Sequence, residues 1–64
     1  MKYYDIHVEI PKQGYSVGLK SEVELTDDEI IMKLVELNKF EEKGDEQFID
    51  SIEEITEEEF NEWF

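Results

Sequence analysis

Leu25-Thr26-Asp27-Asp28-Glu29-Ile30 is the stretch on which the fold turns. Thr26 is placed to cap a helix, and Glu29, three residues on, completes a capping box. Leu25 and Ile30 stand at N′ and N4, where they close a hydrophobic staple. Further along, Ile30, Ile31, Leu34, Val35 and Leu37 fall within about half of the helical wheel, while Met32, Lys33, Glu36 and Lys39 point the other way. The acids of the first turn suit the helix dipole, as do Lys39 and Lys43 near the end, and Gly44 is the expected C′ stop. The spacing predicts a helix over 26–40 whose apolar stripe needs a sheet to cover.

That sheet is sought first on the N-terminal side. Tyr4, Ile6, Val8 and Ile10 alternate with Tyr3, Asp5, His7 and Glu9, the period of two of a half-buried strand. Pro11-Lys12-Gln13-Gly14 supplies the chemistry of a hairpin loop. Tyr15, Val17 and Leu19 then share one face of a second strand, with Val23 and Leu25 in the same parity, and Gly18 marks a bulge or a close crossing. A hairpin is expected over 3–24.

On the C-terminal side, Phe48, Ile49, Ile52 and Ile55 fit a helix about as well as a strand. The tie is broken by Ile55-Thr56-Glu57-Glu58-Glu59-Phe60, which repeats the capping box and staple, because residues before an N-cap are not helical. A strand is therefore expected over 46–55 and a short helix over 56–63, with Phe60, Trp63 and Phe64 forming an apolar edge that must pack on the domain. The result is an α+β fold: a single ββαβα domain with a three-stranded, mainly antiparallel sheet, covered on one face by one helix, plus a short C-terminal helix. Strand order 2-1-3 and a right-handed crossover beside strand two are both permitted.

Sixty-four residues allow one small core, burying about 60% of the surface that the unfolded chain exposes. There is no cysteine, so packing must carry the stability. No apolar run is long enough to span a bilayer, and the alternating pattern starts where a signal-peptide core would lie, so a soluble cytoplasmic protein is expected. Nineteen Asp and Glu stand against six Lys, a net charge of −13. Such a surface repels phosphate, which argues against direct binding to nucleic acid or to an anionic membrane.

Catalytic and metal chemistry find little footing. His7 is the only histidine, and Ser16, Ser21 and Ser51 have no motif context for a triad. One His without Cys does not hold zinc. Asp45, Glu46, Asp50, Glu53 and Glu54 are close together but lack calcium-loop spacing, and a glycosidase pair needs a cleft between its carboxyls. No enzyme activity, cofactor or metal is expected.

The placement of charge is more informative than its total. Residues 1–20 hold two acids and three lysines, residues 21–44 eight and three, and residues 45–64 nine acids and no base. A net charge of about 2 to 8 in magnitude is enough to keep a small domain soluble. In size, charge and αβ make-up the chain resembles the small acidic proteins of phages and mobile elements that act as DNA mimics, including many anti-CRISPR inhibitors. The resemblance implies a stoichiometric inhibitor, monomer or dimer, in the host cytoplasm. Asp45, Glu46, Asp50, Glu53, Glu54, Glu57, Glu58, Glu59 and Glu62 would occupy the Lys and Arg of a nucleic-acid-binding protein or nuclease complex, with Trp63 as an anchor. The alternative is a small adaptor or regulatory subunit that docks through its aromatic C-terminus, the acids serving only solubility.

Overall fold

The computed structural model describes every residue from Met1 to Phe64. The elements run β1 (Lys2–Glu9), β2 (Gly14–Ser21), α1 (Asp27–Glu36), a 3₁₀ turn (Asp45–Phe48), β3 (Ile49–Ile55) and α2 (Glu57–Trp63). The sheet order is β2-β1-β3 with both pairings antiparallel, so the third strand lies beside the first. No helix is long and apolar enough to cross a membrane.

The most regular alternation in the chain belongs to the central strand. Tyr4, Ile6 and Val8 of β1 are buried, and with Val17 and Leu19 of β2 and Ile30 and Leu34 of α1 they form the core. The hairpin turn is tighter than the expected four-residue loop: Ile10 N–H donates to the Gln13 carbonyl at 3.2 Å, and Gly14 already pairs with Glu9. β2 ends at Ser21, which leaves Val23 exposed beyond the sheet.

Thr26 caps α1 as the sequence requires. Glu29 N–H donates to Thr26 Oγ1 at 3.3 Å, and Thr26 N–H donates to Glu29 Oε1 at 2.8 Å. The far end differs from the expected 26–40 helix. Asn38 takes a φ of 56°, Asn38 N–H donates to Val35 O, and Lys39 N–H donates to Leu34 O. This is a Schellman stop with asparagine in the left-handed position that glycine more often fills. Stopping there lets Phe40 turn back onto the core, and Gly44, at φ 97°, leads instead into the 3₁₀ turn. The helix is too short to bury the whole expected stripe. Ile30 and Leu34, one turn apart, meet the sheet, while Val35 and Leu37 are about half exposed, at 50% and 51%.

β3 starts at Ile49, not at 46. A bulge explains why its apolar spacing looked partly helical: Ser51 faces His7 while Ile49 faces Val8, so Asp50 is an extra residue in the ladder. The insertion returns Ile49 and Ile52 to one face, and both pack against the core.

α1 covers one face of the sheet, and the short helix α2 packs on the other. Tyr3 pairs with Ile55 and belongs to the face opposite the core. Its ring stands 5.2 Å from that of Phe60, which is 5.4 Å from Phe64. Gly18, opposite Asp5 in the β1–β2 ladder, lies on that same face, and a Cβ added there would be 2.7 Å from Phe64 Cγ and 2.8 Å from Phe60 Cε2. The glycine is therefore the close crossing, and the register of β2 carries no bulge. Lys20 Nζ completes the seat, 5.9 Å from the Phe60 ring centroid. Phe60 and Phe64 hold α2 down, while Trp63 projects outward with 53% exposure.

Candidate protein-binding surface

The nine acids selected from the sequence divide into three groups. Asp45 is not on the surface at all, being 4% exposed. Its Oδ2 accepts the Tyr15 hydroxyl at 2.6 Å and the Glu42 N–H at 3.2 Å, and the same hydroxyl accepts the Glu41 N–H at 3.2 Å. This network anchors the loop after α1 to β2. Burial first, then the bond to Asp45, pushes the Tyr15 phenol up to about 12. Asp45 is a structural acid, because a buried carboxylate must be hydrogen-bonded.

Glu59 is also committed locally. It accepts Thr56 N–H at 3.1 Å, and its own N–H donates to Thr56 Oγ1 at 3.1 Å, closing the capping box of α2. Glu46 is half-buried in the 3₁₀ turn.

Asp50, Glu53, Glu54, Glu57, Glu58 and Glu62 remain, all exposed, and they run from β3 into α2. Two of them touch β1. Lys2 Nζ donates to Glu54 Oε2 at 3.2 Å, a bond that raises the lysine pKa. The Tyr3 hydroxyl donates to Glu57 Oε2 at 3.0 Å, and its pKa rises chiefly through desolvation, then through that bond. Both pairs are solvent-screened and tie the middle of the acidic run to the central strand. Glu53 faces the α2 side of the sheet beside Asp5, and Glu54 the α1 side beside Tyr4. No three His, Asp or Glu side chains converge where a cation could sit. Trp63 and Phe64, 53% and 46% exposed, lie at the far end of α2.

One constellation was not read from the sequence. His7 Nδ1 lies 3.4 Å from Ser16 Oγ, and its Nε2 lies 3.2 Å from Glu9 Oε2. The signal was available, since a tight turn at Pro11–Lys12 puts residue 7 opposite residue 16. The His7 and Glu9 side chains are 38% and 61% exposed, so water competes for both contacts and the trio reads as a cross-strand polar cluster.

Neither a family model, nor a curated protein, nor a solved structure matches this chain.

Proposed function

We propose that the acidic run of β3 and α2 is a contact surface for the cationic groove of a nucleic-acid-binding protein, which the chain blocks by presenting carboxylates where phosphates would lie. The observation that carries this reading is the exposure of Asp50, Glu53, Glu54, Glu57, Glu58 and Glu62 along one continuous segment, within a stretch, residues 45–64, that has no base. On α2, Glu58 and Glu62 stand at i, i+4, about 5 to 6 Å apart, while Glu53 and Glu54 of β3 project from opposite faces of the sheet. Asp45 and Glu59 are left out of the contact, because Asp45 is buried and Glu59 is half-buried in the cap of α2.

The test is binding to a partner captured by the tagged protein from a host lysate. Affinity should fall steeply between low and moderate salt, and nucleic acid should compete. The triple variant Glu57→Lys, Glu58→Lys, Glu62→Lys should abolish binding, with circular dichroism checking that α2 is retained, since Glu57 also accepts the Tyr3 hydroxyl. A second reading is favoured by one observation, the exposed indole of Trp63. Binding that persists at high salt, survives the charge reversals and is lost in Trp63→Ala would make the chain an adaptor docking through its aromatic end.

A further inference from the structure

The two edges of the sheet are unlike each other. β2 buries Val17, Gly18 and Leu19 in its middle, with the rings of Phe60 and Phe64 packed on the face at Gly18. Along β3 no residue is buried, and even Ile52, which packs against the core, is only half-buried.

The ladder shows which main-chain groups of β3 are free. Ile10 N–H bonds to Gln13 O at the turn. Antiparallel pairs alternate between bonded and non-bonded, so Tyr4, Ile6 and Val8 turn their backbone groups to β2, while Tyr3, Asp5 and His7 turn theirs to β3. Ile55, Glu53 and Ser51 are thereby satisfied. The N–H and C=O of Ile52 and Glu54 point away from the sheet, where no further strand lies. Such an edge is a template for an added strand.

We infer that β3 accepts an extended basic segment of the partner as a fourth, antiparallel strand, with two consecutive basic residues opposite Glu54 and Glu53 and an apolar residue opposite Ile52. This rests on the proposed acidic contact and specifies how it is made. Residues directly opposite on neighbouring strands share a face. Glu53 and Glu54 lie on opposite faces, so successive Lys or Arg side chains of an extended chain reach one each. The apolar residue then extends the row of Ile6 and Ile52 on the core side. A second copy of this chain does not fit: β3 against β3 would crowd Asp50, Glu53 and Glu54 of one copy against the acids of the other across a strand spacing of about 4.8 Å.

The probe is a synthetic ten-residue peptide carrying Lys-Lys-Val in that order among strand-forming polar residues, compared with a scrambled peptide of equal charge. The ordered peptide should bind at least about fivefold tighter. At saturation it should slow hydrogen exchange at the Ile52 and Glu54 amides about tenfold or more, with little change at Glu53. Glu54→Gln, which removes charge only, should weaken binding about threefold. Glu54→Pro, which also removes an outward N–H that β1 does not use, should weaken it at least tenfold. The exchange measurement on the native chain stands even if the proline variant folds poorly. Equal binding of the two peptides, with no protection at Ile52 and Glu54, overturns strand addition but leaves the acidic contact standing. If neither the peptides nor the captured partner respond to Glu53→Lys with Glu54→Lys, both the strand addition and the contact beneath it fall.

Discussion

Replacing Gly18 by alanine sets two effects of opposite sign against each other. The backbone at Gly18 is not in the left-handed region, so alanine meets no conformational penalty there. By reducing the freedom of the unfolded chain, the substitution alone would stabilise by roughly 0.5 to 1 kcal/mol. The new methyl, however, would sit 2.7 Å from Phe64 Cγ and 2.8 Å from Phe60 Cε2, well inside the ordinary contact distance of about 3.5 to 4.0 Å. Cγ is the root of the Phe64 ring, so rotating the ring about its own axis brings no relief, and the end of α2 must lift. Overpacking of this kind costs about 1 to 3 kcal/mol. A seven-residue helix has no stability of its own to oppose the lift. The net effect should be a loss of about 1 to 2 kcal/mol, or a fall in Tm of roughly 4 to 8 °C per kcal/mol. Thermal melts followed by circular dichroism give the number. NMR shifts of Tyr3 and Lys20, which lie beside Phe60, report whether α2 has moved. In a Phe64→Ala background the same substitution should be neutral or stabilising, because much of the obstruction is gone. A Tm that rises in Gly18→Ala with both aromatics intact would refute the seating of α2 on β2.

Three further outcomes follow from the packing and the titrating groups. Leu34→Ala should cost about 2 to 5 kcal/mol in chemical denaturation, since Leu34 is fully buried, whereas Leu37→Ala, half exposed on the same helix, should stay within about 0.5 kcal/mol of zero. Tyr15→Phe removes the stronger of the bonds to buried Asp45 and should cost about 1 to 3 kcal/mol. Because the folded Tyr15 pKa, at about 12, lies above the ordinary value of 10.0, its contribution is complete below pH 10 and is lost as pH rises towards 12; alkaline melts of Tyr15→Phe should lack that decline. Thr26→Ala should cost roughly 0.5 to 2 kcal/mol. The Thr26 backbone and then its hydroxyl hold the Glu29 carboxyl below its ordinary 4.5, so the stability from this group is present above that pH and is lost as pH falls through the lower, folded value. Acid melts of Thr26→Ala should show a shallower loss there.

What could be read from the residues alone was local. The capping boxes at Thr26 and Thr56, the alternation of Tyr4, Ile6 and Val8, and the gradient of acids towards the C-terminus involve neighbours a few positions apart, and each was legible because propensity, period and charge act at that range. The diversion of Glu59 into a cap belongs to this class too. Tertiary structure decided whatever depended on a distant partner. Asp45 counted as a surface acid until Tyr15, from the other end of the chain, was brought to its carboxylate. Val35 and Leu37 counted as core until the short helix was laid across a sheet that only one ridge could reach. Asn38 ended α1 before Gly44 because Phe40 had to return to the core, and a bulge at Asp50 hid the period of β3. The strand order had two permitted solutions on paper. In the folded chain β1 is central, with the core on one face and α2 on the other, so that β3, carrying the acids, is an edge strand. The seating of α2 has no local signature, since it arises from Phe60 and Phe64, far along the chain, meeting Gly18, where no side chain holds them off.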